Sequence, residues 1–104
     1  MRVLRFIVRG QSLQKDPSCD FSSIASGSQG YLEAEFVFDS AWRGCAVIAS
    51  FWHFDKESAV IVKNNRCEIP SSALTGLSVG VSLIGVRDGY KVTTNRVKFE
   101  QEVS

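Results

Sequence analysis

Tyr31-Leu32-Glu33-Ala34-Glu35-Phe36-Val37-Phe38 is the stretch whose reading decides the fold. Leu32, Ala34, Phe36 and Phe38 alternate with Tyr31, Glu33, Glu35 and Val37. A period of two belongs to a strand, because successive side chains of extended backbone point to opposite faces. The first set is predicted to face a core and the second to face outward.

The same period continues downstream. Asp39-Ser40-Ala41-Trp42-Arg43-Gly44 reads as a turn with Trp42 tucked beside it. A strand over 45–54 puts Val47, Ala49 and Phe51 on one face, and Ile48, Ser50 and Trp52 on the other. Asp55-Lys56-Glu57 turns the chain into a strand over 58–63. Asn64-Asn65 then makes a tight hairpin, since Asn tolerates positive φ. A short strand over 66–69 leads to Pro70-Ser71-Ser72-Ala73-Leu74, one helical turn crossing between sheets with Pro at an early position. Leu77, Val79, Val81 and Leu83 share one face of a strand over 77–86, where Gly80 and Gly85 mark a bulge or close packing. Arg87-Asp88-Gly89 is a hairpin turn, and strands over 90–94 and 96–103 finish the chain.

Upstream, Leu4, Phe6 and Val8 lie opposite Arg5 and Arg9 in a first strand. Residues 11–30 are irregular, with Leu13, Cys19, Phe21 and Ile24 apolar enough to pin the segment down. Seven or eight short strands with frequent turns predict a single domain over 1–104: all-β, an immunoglobulin-like antiparallel β-sandwich. Parallel pairing is not expected, because each crossover needs a dozen or more residues.

At 104 residues, 44 % hydrophobic and 11 % aromatic, the chain can build one packed core without a staple. Its 12 basic and 11 acidic residues are spread along the sequence, giving a net charge of +1. That pattern disfavours nucleic acid, whose binding needs a concentrated basic face. No stretch is long and apolar enough for a membrane helix. The opening Met1-Arg2-Val3-Leu4-Arg5-Phe6-Ile7-Val8-Arg9 fails as a signal peptide, since Arg5 and Arg9 break its apolar run. Synthesis in the cytosol is the expectation. Cys19, Cys45 and Cys67 form no close pair, which favours buried free thiols and leaves one disulfide plus one thiol open.

His53 is the single histidine, no nucleophile elbow accompanies it, and its strand-end position suits a half-exposed strand residue. The three cysteines and His53 lack metal-site spacing. Gly76, Gly80, Gly85 and Gly89 match no phosphate loop. Glu33 and Glu35 share one strand face as a carboxylate pair, though this is the ordinary solvated side of a sheet. Neither enzyme activity nor a cofactor or metal is expected.

Binding is the better expectation. Tyr31 and Val37 flank Glu33 and Glu35 on an outward face, and Ile48 and Trp52 lie on the outer side of the 45–54 strand. Exposed aromatic and β-branched residues on a sheet can mark an interface. Alternatively, the 11–30 segment folds over that face and covers it. Ala59-Val60-Ile61-Val62 puts apolar side chains on both faces of one strand, so Val60 and Val62 are candidates for contact with a partner or a second copy.

Two segments carry a family resemblance. One is Gly30 to Phe38 followed by Trp42-Arg43-Gly44. The other is Cys67-Glu68-Ile69-Pro70-Ser71-Ser72-Ala73-Leu74, with the Val79 to Gly85 strand, Gly89-Tyr90 and Thr93-Thr94-Asn95-Arg96-Val97. Together they resemble small Ig-like proteins encoded by phages and prophages of Gram-positive, clostridia-like bacteria. The resemblance covers residues 30–100 and its motifs are structural. It implies a phage-encoded protein made in the bacterial host cytoplasm and commonly built into the virion, as capsid decoration, tail or baseplate module. An intracellular inhibitor of a host defence system is the alternative. A carbohydrate-binding module using Trp52 or Tyr31 as a stacking platform is a third reading.

Overall fold

The alternation of the opening stretch is realised in strand β3 (Leu32–Phe38), where Leu32, Ala34 and Phe36 are buried and Val37 is exposed. The computed structural model describes residues 1–103. Around β3 these form β1 (Arg2–Arg9), β2 (Ser12–Lys15), β4 (Ala46–His53), β5 (Lys56–Val62), β6 (Arg66–Glu68), β7 (Ser78–Arg87), β8 (Tyr90–Thr93) and β9 (Val97–Glu100). One sheet has the order β2-β1-β3-β6. The other runs β5-β4-β7, and both β8 and β9 pair with β7. The result is an all-β sandwich of two sheets.

Its core takes alternate residues from each layer. Leu4, Phe6 and Val8 of β1 and Leu32, Ala34 and Phe36 of β3 face Val47, Ala49 and Phe51 of β4, Val79, Val81 and Leu83 of β7, and Phe99 of β9. A ladder of rings crosses this core from Phe21 through Phe6, Phe36 and Phe38 to Trp42, with centroid spacings of 5.4, 5.5, 6.0 and 5.3 Å. These lie within the range at which aromatic pairs attract beyond simple burial. Trp42 ends the ladder in a short 3-10 turn over Ser40–Trp42. Its indole N–H donates to the Gly10 carbonyl at 2.8 Å. Gly85 is the floor beneath it: a Cβ there would come within 2.6 Å of the indole ring.

Several expectations need correction. The sandwich is not wholly antiparallel, because β1 and β3 pair in parallel from Arg2↔Leu32 to Val8↔Phe38. The crossover this demands is supplied by residues 10–31, which include β2. That segment does not cover an outer sheet face. It closes the open side of the sandwich, burying Ile24 and setting Phe21 against Phe6 and Phe99. Backbone bonds hold it there: Glu102 N–H donates to Ile24 and Ser26 N–H donates to Glu102. Leu77 leaves the shared face of the 77–86 strand and is 59 % exposed, because β7 begins only at Ser78. The final strand ends at Glu100, and the next sheet contact is an isolated parallel bridge between Ala25 and Glu102.

The Asn64-Asn65 turn has φ of 53° and 64°, the primed geometry that suits a two-residue hairpin. It does more than reverse the chain. It hands the backbone from β5 in one sheet to β6 in the other, and the 3-10 turn over Ser71–Ala73 hands it back to β7.

Candidate functional site

The outer face of the four-stranded sheet is laced with charge. Arg5 of β1 donates to Glu35 of β3 at 3.0 Å, and Arg66 of β6 reaches Glu35 and Glu33 at 3.0 Å each. Asp16 adds a longer contact to Arg5 at 3.6 Å. The hydrogen bond from Arg5, supported by Arg66, holds the Glu35 carboxyl below its ordinary value against the opposing effect of burial. Glu33 and Glu35 are therefore engaged by arginines. Tyr31 and Val37 are exposed at opposite ends of this strip, with the ion network between them. Val37 instead pairs in register with Ile7 and lines a shallow groove with Arg9, Asp16 and Asp39.

The five-stranded sheet presents a different outer face. Register aligns Ile61 of β5, Ile48 of β4 and Ile84 of β7 in one row. Val86 and Ala46, paired one step along, extend it. Ile61 is 65 % exposed, and Ile48 and Val86 are also exposed. This is a contiguous apolar strip on a rigid surface, the kind of feature that marks an interaction face. Trp52 lies on the same face of β4, separated from this row by Ser50 and Ser82. Its indole N–H donates to Ser82 Oγ at 3.1 Å, and the Arg96 guanidinium lies 3.7 Å over its ring. Gly80 makes room for both, since a Cβ there would meet Arg96 at 3.0 Å and Trp52 at 3.2 Å. A ring face covered by a stacked cation is a poor sugar platform.

Val60 and Val62 turn the other way. Both pack against the core from β5, so the exposed apolar side chains of that strand are Ala59 and the larger Ile61. Four apolar residues in a row left the parity ambiguous, and pairing with Val47 and Ala49 resolves it.

Sequence reasoning missed the most exposed aromatic. Phe54 sits at the tip of the β4–β5 hairpin, 84 % exposed, with φ of +57°. Positive φ is an outlier for a bulky residue and costs about 1–3 kcal/mol, strain that tends to collect at functional positions. The His53 ring packs 4.6 Å from the Phe54 ring. Together with Gly76, Leu77 and Ser78 they line a cleft of about 290 Å³. The signal was present in the two-residue turn Phe54-Asp55, but residue type pointed to Asp55-Lys56-Glu57 instead.

A hollow of about 420 Å³ lies at the opposite end between Trp42, Arg43 and the Asn64-Asn65 turn. Asp39 on its wall is already committed, accepting from the backbone N–H groups of Gly10 and Ala41. All three cysteines are free, and burial pushes the Cys67 thiol up to about 12. Among the described residues no three His, Cys, Asp or Glu side chains group closely enough to hold a metal, and no helix is long and apolar enough to cross a membrane. No family model matches the chain, and no curated protein or solved structure matches it.

Proposed function

We propose that this chain is a non-enzymatic, protein-binding module of a phage particle: an Ig-like decoration, tail or baseplate component made in the host cytoplasm. The observation that carries the binding reading is the Ile61–Ile48–Ile84 row, an apolar strip across three paired strands, extended by Ala46 and Val86. The Ig-like assignment is supported by strand order. β3 pairs with β6 in one sheet while β5, β4, β7 and β8 neighbour one another in the other, and the chain changes sheet at β3–β4, β5–β6 and β6–β7. The phage assignment rests on the resemblance of residues 30–100, whose W-x-G and C-x-I-P-x-x-A-L phrases supply Trp42 and the Ile69-Pro70 crossover. A proteomic inventory of particles purified after induction of the encoding prophage tests this reading. The chain should appear at a fixed copy number per particle, and its presence in the lysate but not in particles contradicts the proposal.

Phe54 favours one second reading, an inhibitor of a host defence protein. A protruding aromatic on a rigid hairpin suits insertion into a pocket of a target, since buried aromatic anchors dominate binding energy. For that role Phe54→Ala should abolish function while Ile48→Glu is tolerated.

A further inference from the structure

The arginines of this chain are engaged unevenly. Arg2 donates to the carbonyls of Asp20, Ser22 and Ser23, and Arg5 and Arg66 are held by Glu33 and Glu35. Arg87, stacked on Tyr90, donates to the Arg43 carbonyl. Arg96 is held in place without being satisfied. Its side chain runs across Gly80 and sets the guanidinium 3.7 Å over the Trp52 ring. Among the described residues, however, the arginine–carboxylate pairs are made by Arg5 and Arg66 alone. A guanidinium seated on an aromatic face keeps N–H donors at its edge, and seating it beforehand lowers the entropy lost when they bind. Beside it is a hollow of about 150 Å³ that Trp52, Phe54, Ser78 and Lys98 also line. Lys98 stands opposite Gly80 in register and likewise has no carboxylate partner among the described residues.

We infer that this hollow binds a carboxylate side chain of a protein partner, with Arg96 as the fork, Lys98 as a second charge and Phe54 as an apolar wall. Two cations without partners call for an anion, and the planar arginine fork matches a carboxylate bidentately. The acids nearby limit how much charge that anion can carry. Glu57, paired with Trp52 and bonded by the Ser50 hydroxyl, stands on the same outer face, as does Glu100 opposite Ser78. A singly charged carboxylate is tolerated beside them, whereas a phosphate dianion or a run of nucleotide phosphates is repelled. Phe54 is 84 % exposed and offers ring area to an apolar residue next to the acid. Only Ser50 and Ser82 separate the hollow from the Ile48–Ile84 row. The inference therefore rests on the reading of this face as a protein-binding surface, and it adds the chemistry of the partner: an acid set beside an apolar patch.

The test uses the isolated full chain, so it can fail while docking through Ile48 and Ile84 holds, and the reverse. Nitrogen–proton correlation spectra follow the Arg96 Nε–H and both indole N–H groups as acetyl-Leu-Glu-Leu-amide is added at constant ionic strength. The Arg96 and Trp52 signals should move together and saturate with a Kd of about 1–10 mM. The buried Trp42 indole should stay put, and its unmoved signal shows that each variant is folded. Acetyl-Leu-Gln-Leu-amide, which lacks the charge, should bind about tenfold more weakly or less, as should the Glu peptide to Arg96→Gln. Arg96→Lys, which keeps the charge but loses the fork, should cost about threefold. Absence of a saturable shift up to about 50 mM Glu peptide overturns the inference. So does equal binding of the Gln peptide, or full affinity in Arg96→Gln. Inorganic phosphate that binds more tightly than the Glu peptide overturns the carboxylate assignment.

Discussion

Asn95 holds Leu13 from across the sandwich by both of its backbone groups: the Leu13 N–H donates to Asn95 Oδ1 at 2.7 Å, and Asn95 Nδ2 donates to the Leu13 carbonyl at 3.1 Å. The side-chain amide imitates a strand residue. It comes from the break between β8 and β9 in one sheet and pairs with β2 in the other, stitching the open side of the fold. The Asn95 N–H adds a bond to Gln11 at 3.2 Å. Asn95→Ala leaves both Leu13 groups without this partner and should cost about 2–3 kcal/mol in urea unfolding. Asn95→Asp keeps the acceptor and loses the donor, so it should fall between the two.

Phe36 stands in the middle of the aromatic ladder, with Phe6 stacked at 25° on one side and Phe38 tilted on the other. Phe36→Ala should destabilise by about 3–5 kcal/mol, measured by denaturant unfolding. That is a large share of the stability of a domain this size.

Gly85 is required by contact and not by conformation, since its φ is not positive. Gly85→Ala pushes a methyl group into the Trp42 ring and should cost about 1–3 kcal/mol as the indole shifts. Indole fluorescence should change with it, because the ring's bond to Gly10 is disturbed.

The ion network gives a signed pH dependence. Glu35 has its carboxyl held below the ordinary value of 4.5 by Arg5 and then Arg66. A depressed folded-state carboxyl contributes stability that is present above the unfolded value and is lost as pH falls through the folded one. Unfolding free energy should therefore decline below about pH 4.5, and Glu35→Gln should shrink the difference between pH 7 and pH 3. Thermal or urea melts across that range measure it.

Thiol reactivity should sort the cysteines. Cys67 is buried with its thiol pushed up to about 12 by desolvation, whereas Cys19 and Cys45 are half-buried. Alkylation of the native protein followed by intact-mass measurement should leave Cys67 unmodified until denaturant is added, because the thiolate is the reacting form. Rapid native labelling of Cys67 contradicts the packing.

Faces were legible in the sequence, and neighbours were not. Leu4, Phe6, Val8, Leu32, Ala34, Phe36, Val47, Ala49, Phe51, Val79, Val81 and Leu83 all lie on the sides their parity gives. Alternation reports which side of a strand is wet, but not which strand lies beside it. The parallel pairing of β1 with β3 was hidden for that reason, as was β2 within a loop-like composition. Leu77 fits the parity of β7 yet lies outside it, where strand rules no longer hold. On the surface, Ile48 and Trp52 were found by parity, while Ile61 was masked by its apolar neighbours and Phe54 by a turn residue of the wrong type.

The most direct test of the central claim is reconstitution on particles. Virions assembled from a prophage deleted for this chain should bind the purified wild-type protein saturably in co-sedimentation. The variant carrying Ile48→Glu and Ile84→Glu, folded by circular dichroism, should fail to bind. Absence of wild-type binding, or equal binding by the variant, contradicts docking through the outer face of the five-stranded sheet.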